Sequence, residues 1–273
     1  MMRKAPRPVV LWTSNEVAQA VRGICEIYWE ATGVSIDSRT TKRGDLFIAL
    51  DGENFDGHDF VADAFVKGAS AAIVSHIPDD VPEDWPLVVV EDTYQALEDL
   101  AHISRHRNQG KMIALTGSVG KTGTKEALRL CLGAQAPAYA NEGNLNNHIG
   151  APLSLTRMPE DTFYNVFELG MNHAGEIEPL SKMVQPDIAI ITNVHDVHIE
   201  YFENEEGIAD AKAEIFDGMR KNGTAVLNRD NIYFPILASR AWAHGLENVV
   251  GFGAHPESDA MLTACTITDK GSD

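Results

Sequence analysis

Leu115-Thr116-Gly117-Ser118-Val119-Gly120-Lys121-Thr122 is the stretch on which the reading of this chain turns. An apolar run, Met112 to Leu115, enters it, and a helical pattern, Lys125 to Leu132, leaves it. Strand, glycine-rich turn and helix in that order make a phosphate-binding loop. Glycines let backbone N–H groups come close to phosphate oxygens, and the start of the next helix adds partial positive charge. Lys121 can reach the outer phosphates, and the Thr122 hydroxyl can ligate Mg²⁺. Two residues separate the glycines where the common pattern has four. The spacing alone is therefore weak, and the flanking strand and helix carry the assignment.

From Lys111 onward the pattern alternates strand and helix. Strands are predicted at Met112–Leu115, Tyr164–Leu169, Ile188–Asn193, Ala225–Leu227 and Val249–Phe252, with helices between them. This is an open, mostly parallel sheet covered on both faces. Ligands of such sheets lie at the carboxyl ends of strands. Three ends qualify: the phosphate loop after Leu115, Glu168, and Asn193 to His198. The preceding hundred residues read as a small α/β unit. Thr13-Ser14-Asn15-Glu16 is a capping-box pattern. Phe60 to Lys67 is helical and stopped by Gly68, and Thr93 to Arg107 is a helix with Leu97, Leu100, Ala101 and Ser104 on one side. Leu46–Leu50, Ala71–Val74 and Leu87–Val90 read as short apolar runs or buried strands. Asn108-Gln109-Gly110 breaks the last helix, so the domain boundary is expected there: 1–108, then 109–273.

Bulk properties restrict the function. A chain of 273 residues has room for two domains. Its net charge of −18 argues against nucleic-acid or anionic-membrane partners but leaves room for a phosphorylated ligand held by a local basic cluster. Cys25, Cys131 and Cys265 are far apart and read as reduced, buried thiols. No apolar run reaches the length of a membrane span, and Val9 to Trp12 is too short for a signal peptide. A cytoplasmic monomer is expected.

Single residues leave alternatives open. Glu168 puts a carboxylate at an apolar strand end, either satisfied structurally or available to Mg²⁺. Thr192 to Glu200 holds His195 and His198 with Asp196 and Glu200, a set that could suggest a zinc site and whose residue types also suit a surface loop. Lys212, between Asp210 and Glu214 on a helical segment, reads by itself as a solvated lysine. Asn141 to His148 is rich in amides: a helix-capping loop, or a segment whose Asn144 and Asn146 line a substrate. Asp37-Ser38-Arg39 and Gly52 to Phe60 read singly as polar turns.

Taken together, DSRTTKRGDLFIALDGENFDGHDF (37–60), TGSVGKTGTKE (116–126), NEGNLNNHIGAPLSL (141–155), FELGMNHAGEI (167–177), TNVHDVHIEYF (192–202) and ADAKAEIF (209–216) resemble the Mur ligases, ATP-dependent enzymes that add amino acids to the peptidoglycan precursor. The resemblance runs from about Ser35 to Phe252. It gives the short GxxGK[ST] loop a meaning, since the family uses that form. It implies a UDP-substrate domain followed by a central ATPase domain. The third, C-terminal Rossmann-like domain of the family is expected to be absent, and the chain to be an incomplete fragment. Within the family, GNLNNHIG and NHAGEI favour addition of D-alanyl-D-alanine to UDP-N-acetylmuramoyl-tripeptide. The rivals are addition of a single diamino acid, and a noncatalytic nucleotide-binding module.

The resemblance also implies roles. ATP would lie on Gly117, Ser118, Val119, Gly120, Lys121, Thr122, Gly123 and Asn228. Thr122, Glu168, His198 and Lys212 would hold Mg²⁺, with Lys212 carbamylated by CO₂ so that it offers oxygen. Lys121, Glu168, His198 and Lys212 would serve catalysis. Ser38 and Arg39 would hold the uridine end of the substrate, and Asn144 and Asn146 would line it. Two positions depart from the family's pattern: Gly123, where threonine is frequent, and His195, where glycine is.

Overall fold

The computed structural model describes residues 9–265 apart from Glu53, Asn54, Glu83, His198 and Glu203, together with residues 267–268 and 271–272. The chain divides into two compact units. One comprises Met1–Gln109 with Pro152–Asp161, the other Gly110–Ala151 with Thr162–Asp273.

In the first unit, β1 (Gly33–Ser35), β2 (Asp45–Ile48), β3 (Ala71–Val74) and β4 (Leu87–Val89) form a parallel sheet in that order. All four residues of β3 are buried, as its uninterrupted apolar run requires. Helix α1 (Ser14–Val21) starts with the full capping box: Thr13 Oγ1 accepts from Glu16 N–H, and the Glu16 carboxylate accepts from Thr13 N–H at 2.8 Å. Helices α2 (Val61–Val66) and α3 (Thr93–Arg107) complete the unit. The buried positions of α3 include Leu97, Leu100, Ala101 and Ser104, the face expected from helical spacing.

Residues 152–161 pack with this first unit although the chain has already entered the second. They are held by long-range polar contacts. Trp12 Nε1 donates to Thr156 O (2.8 Å), Ser104 Oγ to Leu155 O (2.5 Å), Arg157 Nε to Val34 O (2.7 Å), and Asn108 Nδ2 to Pro159 O (3.1 Å). Each is a buried or part-buried donor that finds its acceptor far away in sequence, so no local pattern announces the return.

The second unit is built on a seven-stranded sheet. Its strands are β5 (Lys111–Thr116), β6 (Ala138–Ala140), β7 (Tyr164–Glu168), β8 (Ile188–Ile191), β9 (Thr224–Asn228), β10 (Asn248–Gly253) and β11 (Ala260–Met261). The spatial order is β11-β10-β9-β8-β5-β7-β6, and every pairing is parallel. β6 and β11 are short edge strands without a marked apolar pattern, and sequence reading missed both. Ile113, Leu115, Val166 and Ile190 form a buried cluster on the central strands, with Leu128 and Leu132 of helix α4 (Lys121–Gly133) packed against it. Helices α6 (Ile177–Val184), α7 (Glu205–Ala213) and α8 (Phe234–Ala243) belong to this unit, whereas α5 (Gly150–Thr156) belongs from Pro152 onward to the first.

Strand order reverses at β5. The chain proceeds from β5 to β6 and β7 on one side, then returns to β8 on the other. In open α/β sheets such a switch point leaves a crevice beyond the carboxyl ends of the strands. Here the crevice faces the end of β5, where the phosphate loop begins. Among the described residues, no helix is long and apolar enough to cross a membrane. The cysteines differ from expectation: Cys131 and Cys265 are exposed and Cys25 is half-buried, all three free. Cys131 sits on the outer face of α4 next to Leu130, which is also exposed.

Candidate functional site

The site begins with the backbone of the phosphate loop. Gly117 has φ +152° and Gly120 φ +80°, both in the region that favours glycine. At Gly117 a side chain has no room, since a Cβ would lie 1.9 Å from Thr192 Oγ1. Gly120 caps the start of α4, which places Lys121 and Thr122 on its first turn. At Gly123 a Cβ would meet nothing within 4 Å, so the departure from threonine costs no packing.

The loop is braced from β8. Ser118 N–H donates to Asn193 O (3.1 Å) and Val119 N–H to Asn193 Oδ1 (3.0 Å). Thr192 Oγ1 donates to Val119 O (2.8 Å), and Ser118 Oγ exchanges hydrogen bonds with the His195 backbone at 2.9 and 3.0 Å. His195 therefore contributes main chain to the loop's support while its side chain is exposed. Asn228, at the end of β9, donates to Thr192 O (3.0 Å) and so joins the same scaffold. Asn193 and Thr192 are the residues that sequence reading undervalued. An amide directly after a buried strand was the available signal.

Lys121 Nζ donates to Gly117 O (2.7 Å), folding back over its own loop. Burial holds its pKa below the usual lysine value, and the Glu168 carboxylate opposes that shift. Glu168 ends β7 and is 2 % exposed. Its Oε2 accepts from Thr122 Oγ1 (2.9 Å) and its Oε1 from Asn146 Nδ2 (2.8 Å). A threonine hydroxyl and a carboxylate thus meet at the mouth of the phosphate loop. Oxygen donors of this kind suit Mg²⁺, a hard cation that binds through carboxylate and hydroxyl oxygens and keeps several waters.

Lys212 lies on the last turn of α7 and is 3 % exposed, which overturns its reading as a solvated lysine. The small neighbours Ala211 and Ala213 are buried with it. It has no hydrogen-bond or ion-pair partner among the described residues. Burial, followed by repulsion from the Lys121 ammonium, brings its pKa down to about 7. As an ammonium it does not fit a cation site. As a neutral amine it is a nucleophile. His198 lies outside the described residues. Just after Lys212, Glu214 accepts from the N–H groups of Gly175 (2.6 Å), Ile177 (3.1 Å) and Glu178 (3.3 Å), capping α6 and tying the NHAGEI run to the lysine's segment.

Asn144 is exposed, while Asn146 is half-buried on Glu168. In the first unit, Ser38 is buried. The exposed Arg39 is paired with Asp37 through Nε–Oδ1 (2.9 Å) and Nη2–Oδ2 (2.8 Å).

A crevice at the switch point of a parallel sheet, with a short phosphate loop and a hydroxyl–carboxylate pair, defines a nucleotide-binding α/β protein of the Mur ligase type. The Mur ligase middle domain matches residues 115–273, and the Mur ligase family catalytic domain matches residues 30–105. The chain belongs to the Mur ligase family. It is 39% identical over 253 residues to the UDP-N-acetylmuramoyl-tripeptide–D-alanyl-D-alanine ligase of Rickettsia prowazekii (strain Madrid E), covering 93% of this chain and 56% of that protein. The ligase of the same name from Bacillus subtilis (strain 168) is 39% identical over 265 residues, covering 95% of this chain and 56% of the relative. A crystal structure of MurF from Acinetobacter baumannii superposes with a TM-score of 0.80 at 35% identity, covering 96% of this chain and 59% of that one. The chain thus spans somewhat more than half the length of these relatives.

Proposed function

We propose that this chain serves an ATP-dependent ligation that joins D-alanyl-D-alanine to UDP-N-acetylmuramoyl-tripeptide. The observation that supports it most is the meeting of Thr122 and Glu168 at the mouth of a loop whose N–H groups and Lys121 suit a nucleotide's phosphates. In the proposed reaction, the tripeptide's terminal carboxylate attacks the γ-phosphorus of ATP, the bond to the β,γ-bridging oxygen breaks, and ADP leaves. The amine of the dipeptide then attacks the acyl phosphate carbonyl. Inorganic phosphate departs, and the amine proton passes to solvent or a base. The names of relatives with which 93% and 95% of this chain align favour D-alanyl-D-alanine over a single diamino acid.

The residues divide this work. Loop N–H groups and the Lys121 ammonium stabilise charge on the transferring phosphoryl group, in a geometry set before the substrate arrives. Thr122, Glu168, His198 and Lys212 would hold Mg²⁺, which supplies charge neutralisation at the phosphoryl oxygens. Asn193 braces the loop, and Asn228 holds Thr192 beside it. Ser38 and Arg39 would take the uridine end, Arg39 by exchanging Asp37 for a diphosphate or uracil oxygen. Asn144, exposed beside the crevice, is free to reach the peptide portion of the substrate, whereas Asn146 orients Glu168.

The first test is Lys121→Ala. Affinity for Mg²⁺-ATP, read by calorimetry, should fall about a hundredfold, equivalent to ~2.7 kcal/mol, with the circular dichroism spectrum unchanged. Unchanged affinity would refute the phosphate-loop reading.

Carbamylation of Lys212 is the finer part of the proposal. The neutral amine adds to the carbon of CO₂ and releases a proton, leaving a carbamate. A cation repelled by Lys121 becomes an anion attracted to it. Under ¹³C-bicarbonate, a carbamate carbon resonance should appear in the wild-type chain and vanish in Lys212→Ala. A resonance that persists in the variant, or is missing from the wild type with Mg²⁺ and nucleotide present, would remove the carbamate from the site.

A further inference from the structure

Lys125 has no part in the roles given above, yet its side chain is completely buried, one turn beyond Lys121 on α4. Its Nζ donates to Asn141 O (2.7 Å) and Gly143 O (2.8 Å), and lies 3.5 Å from Glu126 Oε1. Burying an ammonium carries a large desolvation cost, and an apolar side chain of similar length would fill the same space without it. What the lysine does that an apolar residue cannot is grip two carbonyls. Both belong to the loop between β6 and α5.

That loop in turn grips Glu168. Asn141 Oδ1 accepts from Glu168 N–H (2.9 Å), while its amide donates to Leu145 O (2.9 Å) and Glu168 O (3.4 Å). Asn146 Nδ2 donates to Glu168 Oε1 (2.8 Å), which leaves Oε2 turned to Thr122. Gly170 N–H donates to Asn146 O (2.8 Å), fastening the far end of the loop to the chain just past β7. An unbroken path of polar contacts therefore runs from α4, through the loop, to the carboxylate.

We propose that Lys125 is a positioning residue: by holding residues 141–146 it fixes the rotamer of Glu168 and so sets the Mg²⁺ affinity of the nucleotide site. The inference rests on Glu168 as a metal-binding group. Groups that hold a metal ligand in place commonly matter to metal affinity even though they never touch the ion. Without the lysine, the two carbonyls lose their donor, the loop relaxes, and Asn146 no longer restrains Oε1. Lys121 and the loop N–H groups stay where they are, so the phosphates keep their cradle.

The test is a Mg²⁺ titration of nucleotide binding, with metal-free ADP binding as a second readout. For Lys125→Met, the Mg²⁺ concentration at half-saturation should rise about tenfold. Affinity for metal-free ADP should stay at the wild-type value. Lys125→Gln, which keeps an N–H donor of shorter reach, should fall between Met and wild type. An unchanged Mg²⁺ requirement, or equal losses in both readouts, would overturn the proposal. So would failure of both variants to melt cooperatively, since the lysine would then serve the fold as a whole. Glu168→Gln is the control for the premise. If it leaves the Mg²⁺ requirement unaltered, the metal reading of Glu168 is what fails.

Discussion

The carboxyl edge of the seven-stranded sheet and the Asp37–Thr41 turn of the first unit both carry charged side chains with proposed roles, and they treat those charges in opposite ways. At the sheet edge Glu168, Lys212 and Lys125 are all buried, each in a different state of satisfaction. Glu168 is hydrogen-bonded through both oxygens, Lys125 by two carbonyls, and Lys212 by nothing among the described residues. In the turn, the Arg39 side chain is 86% exposed and pairs with Asp37. Burial alters what a residue is: the same amine that would be an inert cation in solvent becomes a base near neutrality. Exposure leaves Arg39 a solvated cation whose Asp37 pair a ligand could replace.

The sharpest way to break the ordered side of this contrast is at Gly117. Gly117→Ala forces a Cβ against Thr192 Oγ1 at a backbone angle that side chains rarely adopt, and should destabilise by about 3 kcal/mol. Denaturant unfolding would read this directly. Gly123→Ala, in open space on a helix, should instead stabilise by about 0.5–1 kcal/mol. Equal responses at the two glycines would mean that the loop is not braced by β8 in the way described.

Lys212 makes the contrast visible through pH. Its folded pKa of about 7 lies below the ordinary lysine value of 10.5. Between these values the unfolded chain holds a proton that the folded chain has released, so stability rises with pH across that window. Below pH 7 both states are protonated and the full cost of the buried ammonium is present. In CO₂-free buffer, wild type should therefore gain stability relative to Lys212→Met from pH 7 to 9, by up to about 1.4 kcal/mol per pH unit. A constant difference between the two proteins would show that the amine is solvated.

The smallest effect is expected in the turn. Arg39→Ala should leave the thermal midpoint where it is, because exposed ion pairs contribute little to stability. It should still weaken binding of a UDP-linked precursor, read by calorimetry. A clear drop in the melting temperature would make Arg39 structural and erase the distinction between the two regions.

Which features were legible in the sequence follows from how far apart their causes lie. The capping box of Thr13 and Glu16, the face of α3, the buried runs of β3 and β5 and the glycine turn at 117–120 each depend on a few neighbouring residues. They could be read directly. β6 and β11 could not, because they are three and two residues long and sit at sheet edges, where burial leaves little imprint. Cys131, expected as a buried thiol, faces outward together with its neighbour Leu130.

By itself, the sequence determined most of the strands and helices, the parallel character of the main sheet, the glycine turn after β5 and, through six ordered motifs, the family. These are written in periodicities and turn chemistry that act over short windows of chain. Tertiary structure alone decided that residues 152–161 return to the first unit, that Asn193 braces the loop, that Lys125 holds the segment behind Glu168, and that Lys212 is buried without a polar partner among the described residues. Those outcomes depend on which remote groups exclude water from a side chain or offer it a partner. Desolvation and charge interaction are set by neighbours in space, and a residue's neighbours in sequence do not reveal them.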